Sequence, residues 1–366
     1  MRPGPAHRQS YVRRSGRLSR LCHQAVIYCH GALKPPEFAV ELAIRMKNAL
    51  LASGTLPLHT EFSIAGVQCG ISTNSPTILA QLSRFMPVVS GVESSFSVSV
   101  LELAVGEDQS SDMHFRGMNH FVFALLGAGN RFVLDLKRRH AAGIVSSEAA
   151  RDSKFWHRIF FPIVVGTLGA TFGLIPLHCA CLDSGGEGLL IAGNAGAGKS
   201  TLALALLDYG FSFASDEWTY LLARDGEFTL HTLGGPAKLL PDASRFFPRL
   251  CQLGLHTAMN GELSYEVDIA TWLGVPPITQ SSLSRMLFLR RVSAPGCRFT
   301  PCDEEFTFSF FEQSMERLPE ELLDAKVQRS EIIRKMSSTK SWILETGESP
   351  EATAGAIADF YKRGRL

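Results

Sequence analysis

The chain has 366 residues, of which 45% are hydrophobic and 19% are charged, and its net charge is +1. This length allows two domains of about 100–200 residues each. The hydrophobic content excludes an intrinsically disordered chain, because it is enough to bury a substantial core. The near-neutral charge gives no indication of a nucleic-acid partner.

The eight cysteines are spread along the chain without a Cys-x-x-Cys pair. Cys179 and Cys181 alternate along an apolar stretch, whereas Cys297 and Cys302 stand in a stretch typical of a loop. This spacing favours reduced thiols over a disulfide framework or a zinc site. We therefore expect a cytoplasmic protein.

The first segment in chain order, 1–24, is basic and contains no acidic residue. Its arginines are Arg2, Arg8, Arg13, Arg14, Arg17 and Arg20. One interpretation is an arm for nucleic acid or for a membrane surface. A basic flexible tail is the simpler one, and no apolar stretch of the signal-peptide kind follows it.

Residues 25–150 mix helical and strand-like patterns, which predicts an N-terminal α+β domain of unknown role. Apolar spacing predicts helices over 37–52 and 76–85. Strand-like runs fall at 60–72, 96–105, 120–126 and 131–136. Turn residues at 127–130 predict a hairpin. The titratable side chains of this region are scattered, so we interpret them as structural groups: His59, His114, His120 and Asp135.

The stretch 159–177 is uncharged and approaches the length of a membrane span. It contains Pro162, Pro176 and three glycines, and it leads into a strand. A buried helix over 154–174, packed under a nucleotide-binding domain, explains these features better than a transmembrane helix. No membrane span is therefore expected.

From 151 onwards strands and helices alternate, which predicts an α/β domain over 151–366 with a mixed or parallel sheet. The predicted strands are 176–183, 188–192, 211–215, 218–223, 228–233, 285–292 and 340–346. The predicted helices are 199–209, 241–250, 269–273, 319–336 and 350–361. The last helix has Ser349 as its N-cap and Pro350 in its first turn.

The segment 193–200 satisfies the phosphate-loop pattern G-x-x-x-x-G-K-[ST]. An apolar strand precedes it and a helix follows, which is the context that the pattern requires. The candidate nucleotide-binding residues are Gly193, Asn194, Ala195, Gly196, Ala197, Gly198, Lys199, Ser200 and Thr201. Glycines let successive amides point at one phosphate, and Lys199 should reach the terminal phosphates. The Ser200 hydroxyl should ligate magnesium.

An acidic pair, Asp216 and Glu217, follows the loop after one helix and one short strand. If the strand 211–215 runs parallel to the strand before the loop, the pair reaches the sheet edge that carries the loop. Because side chains alternate along a strand, one acid points into the site, and we assign that position to Asp216. A carboxylate there can hold magnesium or accept a proton from an attacking hydroxyl.

Four further residues are candidate catalytic groups. His178 precedes the loop on the neighbouring strand and could orient Asp216 by hydrogen bonding. Arg290 and Arg291 end a later apolar strand, where one of them could neutralise the charge of the transferred phosphate. Lys238, in the sequence GGPAKLLPD, is a weaker candidate for the same role. For each of them the alternative is an ordinary structural or solvent-exposed side chain.

Together these residues resemble the catalytic domain of HPr kinase/phosphorylase and of the HPr-kinase-like proteins. In that family a strand histidine, a G-x-[SA]-G-x-G-K-S loop and an Asp-Asp pair follow at similar intervals. Here they correspond to His178, 193–200 and Asp216-Glu217, and KLLPD and FLRR are similar to later blocks. The resemblance implies an α/β P-loop kinase domain related to phosphoenolpyruvate carboxykinases. It also implies ATP and magnesium as cofactors, with the first acid as base for a seryl hydroxyl.

Two features depart from the family pattern. The second acid is Glu217 instead of aspartate, and the arginine-rich signature of true HPr kinases is absent. The predicted function is therefore phosphoryl transfer from ATP to a hydroxyl of a protein, peptide or small molecule. The alternative is a regulatory ATPase or nucleotide switch without an acceptor, although no N-K-x-D motif indicates a GTPase. A homo-oligomer remains open, and no nucleic-acid partner is expected.

Overall fold

The computed structural model describes residues 56–362, except 92, 104–112, 119, 128, 258–261, 316–317 and 319–321. The tail predicted at 1–24 and the helix predicted at 37–52 lie outside the described residues. The described part is a mixed α/β structure with sheets of eight, nine and three strands.

The first sheet contains strands β1 to β8. Their bounds are β1 Leu58–Ile64, β2 Val67–Thr73, β3 Val88–Val89, β4 Phe96–Leu103, β5 Met113–Met118, β6 Phe121–Leu126, β7 Arg131–Asp135 and β8 His140–Ser146. In space their order is β3-β1-β2-β4-β8-β7-β6-β5. The predicted hairpin is confirmed, because β6 and β7 pair in antiparallel register. The run predicted as one strand over 60–72 is a hairpin instead, since Ala65 and Gly66 turn the chain at φ values of 48° and 80°.

Two short helices accompany this sheet, α1 (Pro76–Leu82) and α2 (Ser147–Arg151). A long apolar helix, α3 (Ser153–Phe172), comes next and confirms the helix predicted at 154–174. The buried side chains of α3 share one hydrophobic cluster mainly with side chains of the first sheet. The same cluster also contains Leu174, Tyr220 and Leu222 of the second sheet, so α3 packs against both sheets and not under the nucleotide-binding domain alone. By length and composition α3 could cross a membrane, and 61% of its apolar window is buried inside the protein.

The second sheet carries the phosphate loop. Its strands are β9 Leu174–Leu177, β10 Ala180–Ser184, β11 Glu187–Ala192, β12 Ser212–Ser215, β13 Thr219–Arg224, β14 Glu227–His231, β18 Gln280–Arg291, β19 Cys297–Pro301 and β20 Ser341–Thr346. The order is β12-β10-β11-β18-β14-β13-β9, with β20 on β18 and β19 on β20. Strand β18 is parallel to both β11 and β20. The stretch around Cys297, predicted as a loop, is therefore strand β19.

The remaining elements cover the second sheet or form a small sheet beside it. The small sheet consists of β15 Ala237–Leu239, β16 Leu255–Thr257 and β17 Leu263–Val267. The helices are α4 Lys199–Leu206, α5 Ile269–Leu273, α6 Glu304–Ser314, α7 Leu323–Met336 and α8 Pro350–Lys362. The helix predicted at 241–250 was wrong. Two 3₁₀ turns replace it, because Pro248 cannot continue a helix begun at Pro241.

Two bent segments bring the site together. The strand predicted over 176–183 is in fact β9 and β10, separated by His178 and Cys179 and paired with β13 and β12 respectively. Strands β12 and β13 are themselves separated only by 216–218. The Thr219 hydroxyl donates to the Cys179 carbonyl at 3.0 Å, which joins the two bends. The loop with the acidic pair therefore lies beside the bend with His178.

Strand β12 has the predicted direction, although it does not pair with β11 directly. It pairs with β10, which is antiparallel both to β12 and to β11. Consequently β12 runs parallel to β11 with one strand between them. Its carboxyl end still reaches the edge of the sheet at which the phosphate loop leaves β11, as the sequence predicted for Asp216.

Candidate active site

The phosphate loop joins β11 to α4 and needs glycine at its first position. Gly193 has a φ of 154°, and a Cβ built there would lie 2.8 Å from the Leu289 carbonyl oxygen. Gly198 has a φ of 95° and forms the N-cap of α4. The backbone amides of the loop therefore lie at the N-terminus of α4, where the helix dipole is positive. Anions such as phosphate bind at such a position.

Lys199 lies across this loop. Its Nζ donates to the Gly193 carbonyl at 2.9 Å, and the residue is 7% exposed. Burial lowers the pKa of Lys199, whereas Cys179, Asp216 and Glu217 oppose that change. The ammonium is therefore largely removed from water, so its attraction to an anionic ligand is strengthened.

Asp216 is the buried acid of the site, with 6% of its surface exposed. Its Oδ2 accepts a hydrogen bond from the Lys238 backbone amide at 2.9 Å, and the Ser200 hydroxyl also donates to the carboxylate. Burial and then the charge of Glu217 raise the pKa of Asp216 to about 7, although both hydrogen bonds act in the opposite direction. Near neutral pH this carboxyl group can both accept and release a proton.

A cavity of about 180 Å³ connects the loop with the acidic pair. The described residues that line it are His178, Ala195, Gly196, Gly198, Lys199, Ser200, Thr201, Asp216, Glu217, Lys238, Leu240, Asp242 and Glu262. The His178 ring stands 5.6 Å from the Trp218 ring, measured between centroids. The structure therefore brings His178, the acidic pair and most of the predicted loop residues to one place. The orienting role of His178 stays a prediction.

Arg290 and Arg291 lie on the other side of the loop. They line a separate cavity of about 400 Å³ together with Gly193, Asn194, Ala195, Gly196, Ala197 and several phenylalanines. The Nη1 atom of Arg290 is 3.3 Å from Glu345, and Arg291 donates to the Glu348 carbonyl at 2.6 Å. Neither arginine is among the described residues that line the cavity of Asp216. Their action on transferred phosphate stays a prediction.

Sequence reasoning missed the backbone of Lys238 and the side chain of Glu262. The Lys238 amide fixes Asp216, while its Nζ forms an ion pair with Glu262 at 2.8 Å. Any residue except proline supplies such an amide, so the sequence carries no signal for it. Trp218 was also missed, although its position directly after the acidic pair could have drawn attention to it.

Magnesium fits the donor set of this cavity. The Ser200 hydroxyl and the Asp216 carboxylate are in contact, and both offer the oxygen ligands that this cation prefers. The described residues contain no group of three or more His, Cys, Asp or Glu side chains that could hold a metal. The predicted magnesium site therefore depends on Ser200 and Asp216, with phosphate and water oxygens completing the coordination.

Comparisons with known proteins give distant similarity to solved structures. No family model and no curated protein matches the chain. Among solved structures, the Hpr(Ser) kinase/phosphatase from Coxiella burnetii is similar at a TM-score of 0.29 and 15% sequence identity. The similar region covers 52% of this chain and 90% of that chain. A similarity this weak carries no argument, so the functional inference below rests on the site itself.

Proposed function

We propose that the protein is a magnesium-dependent kinase that transfers the γ-phosphoryl group of ATP to a hydroxyl group. The observation that carries the proposal is the buried Asp216 carboxyl group, which has a pKa of about 7 and is hydrogen-bonded to the Ser200 hydroxyl of the phosphate loop. A phosphate loop alone indicates nucleotide binding. An adjacent carboxyl group that can exchange a proton near neutral pH can also accept the proton of an attacking hydroxyl, as phosphoryl transfer to a hydroxyl requires.

The chain's own groups would hold the nucleotide through its phosphates. The loop amides and the N-terminus of α4 face the phosphate chain, and Lys199 exchanges the Gly193 carbonyl for a phosphate oxygen. Bound magnesium, held by Ser200 and Asp216, would neutralise charge on the β- and γ-phosphates. Lys199 would then stabilise the charge that moves to ADP as the transfer proceeds.

The transfer requires no reactant other than ATP and the acceptor hydroxyl. The acceptor oxygen forms a bond to the γ-phosphorus, the bond from that phosphorus to the β,γ-bridging oxygen breaks, and ADP leaves with the electron pair. The hydroxyl proton passes to Asp216. Glu217 raises the pKa of Asp216 by its nearby charge, which makes Asp216 a better base than an ordinary exposed aspartate.

Phosphoryl transfer from γ-labelled ATP tests the proposal. Asp216→Asn removes the base but keeps the size of the side chain, so we expect labelling of acceptors to fall by roughly 10²–10⁴-fold. Asp208→Asn, at an exposed aspartate after α4, is the matched control and should leave labelling unchanged. Full activity of Asp216→Asn would contradict the assignment, and failure of the native protein to bind MgATP would contradict the kinase proposal as a whole.

A further inference from the structure

A second cavity is also lined by Asp216 but by none of the described phosphate-loop residues, and we infer that it binds the phosphoryl acceptor. We infer further that this acceptor is a small hydroxyl compound, of amino-acid or monosaccharide size, that is uncharged or positively charged. The inference rests on the proposed function and adds the class of substrate to it. We name the second cavity the acceptor cavity.

The acceptor cavity meets the nucleotide cavity only at three residues. It has a volume of about 260 Å³, and the residues lining both cavities are Asp216, Glu217 and Lys238. Its other walls come from the first half of α3, from the segment 232–236 and from the small sheet. A bound ATP and a bound acceptor would therefore approach Asp216 from two different sides.

This arrangement suits an in-line transfer. The attacking hydroxyl must stand on the side of the γ-phosphorus opposite to the leaving ADP oxygen. A hydroxyl in the acceptor cavity would approach the γ-phosphate through a space that no phosphate-loop residue lines, beside Asp216, which lines both cavities. The O–P bond forms on this side of Asp216, the bond to ADP breaks on the loop side, and Asp216 takes the proton.

The volume limits the size of the acceptor. The volume of the acceptor cavity is about 260 Å³. It lies below the range of about 300–1,000 Å³ that is usual for sites of drug-sized ligands. An amino alcohol, a hydroxy amino acid amide or a monosaccharide has a size suited to this space.

The charges of the wall disfavour an anionic acceptor. The lining includes three cations, Lys154, Arg158 and Lys238. Lys154 and Arg158 both pair with Glu266, at 3.5 Å and 2.7 Å, while Lys238 pairs with Glu262. Lys154 and Arg158 share one carboxylate, but the lining also contains the carboxyl groups of Asp152, Asp216 and Glu217, so that carboxyl groups outnumber cations in the wall.

The groups nearest the reacting position favour a cation or a neutral molecule. Glu217 brings a second carboxylate next to Asp216, and the indole of Trp218, which also lines the cavity, offers an aromatic face. Such a face attracts ammonium groups and packs against the C–H surface of a sugar. Together with the excess of carboxyl groups over cations, these two side chains set the charge preference of the cavity.

The first test introduces a larger side chain at the edge of the acceptor cavity. Thr257 is an exposed residue of β16 that lines the acceptor cavity but not the nucleotide cavity. Thr257→Phe should lower kcat/KM for acceptors by about tenfold or more, and it should leave acceptor-independent ATP hydrolysis and MgATP affinity unchanged. His256→Phe is the matched control, because side chains alternate along a strand and His256 lines neither cavity.

The second test changes the charge of the cavity. Glu266→Gln releases Lys154 and Arg158 from their carboxylate while keeping the shape of the side chain. We expect the ratio of kcat/KM values, cationic over anionic acceptor, to fall by roughly tenfold. The panel contains ethanolamine, glucose, serinamide and the anion glycerate. Glu305→Gln removes the same charge from an exposed ion pair with Arg334 and should leave the ratio unchanged.

The outcomes separate this inference from the proposed function. Transfer to ethanolamine, glucose or serinamide that both cavity variants alter as described supports it. Three results would contradict the assignment of the acceptor cavity but not the kinase activity. They are a preference for glycerate, transfer that Thr257→Phe does not affect, and transfer to folded proteins only. MgATP binding without transfer to any member of the panel also overturns that assignment. Absence of MgATP binding overturns the proposed function itself.

Discussion

Burial, the charge of Glu217 and hydrogen bonds all act on the pKa of Asp216. Its carboxyl group is buried next to Glu217, and its pKa of about 7 lies well above the ordinary value of 3.8. The sequence predicted the position of this acid from its spacing after the phosphate loop. It could not predict the Lys238 amide that fixes the carboxylate, because that amide arrives from a strand more than twenty residues later.

The raised pKa makes a prediction about stability. Because the folded state binds this proton more tightly than the unfolded state, Asp216 contributes full stability below pH ~4. This contribution is lost as the pH rises through about 7, and it amounts to at most about 4 kcal/mol. Asp216→Asn should therefore raise Tm at pH 8 and change it little at pH 4. Equal changes in Tm at both pH values, measured beside Asp208→Asn, would contradict this account.

At the scale of elements, the bends of the second sheet decide where the site lies. The sequence predicted a strand over 176–183, and neither glycine nor proline marks the break at His178 and Cys179. The break follows from pairing with β12 and β13, which are distant in sequence. The helix α6 was missed because its sequence, EEFTFSFFEQS, contains four phenylalanines, a residue that favours strands. Local patterns were sufficient for β11, α4 and the loop between them.

The phosphate loop itself is tested by glycine substitutions. Gly193→Ala would place a Cβ 2.8 Å from the Leu289 carbonyl oxygen at a φ of 154°, so the loop must shift. We expect this variant to lose MgATP affinity by about tenfold or more and to lower Tm. Gly196→Ala, whose Cβ would meet no atom within 4 Å, should have the smaller effect. Calorimetric titration with MgATP distinguishes the two, and equal losses would contradict the steric argument.

For the whole molecule, α3 connects the two large sheets. The cluster that buries Phe155, Trp156 and Phe160 also contains Phe132 of the first sheet and Tyr220 of the second. The domain boundary predicted between 150 and 151 therefore separates α3 from most of the apolar side chains that it packs against, because those side chains lie before residue 151. Composition alone could not show which sheet α3 covers, because its apolar length suits either a core or a membrane.

This packing predicts how fragments and extracts behave. A fragment 151–362 exposes the aromatic face of α3 and should aggregate or show a clearly lower Tm than the full chain, since that face loses its partners. The full chain should stay in the supernatant after lysis without detergent. Extraction of the full chain only by detergent would contradict the interpretation of α3 as a core helix.

The pH dependence of phosphoryl transfer tests the central claim most directly. With saturating MgATP and an acceptor, kcat/KM of the native protein should rise with pH as the Asp216 carboxyl group loses its proton, because the deprotonated form accepts the hydroxyl proton. The apparent pKa of this rise should lie below the value of about 7 in the metal-free site, since magnesium favours the charged carboxylate. Asp216→Asn should remove this rise and lower the rate by roughly 10²–10⁴-fold. MgATP affinity should fall by a much smaller factor, because the loop amides, Lys199 and Ser200 remain in place. An unchanged profile and rate in Asp216→Asn would contradict the claim that this carboxylate is the base.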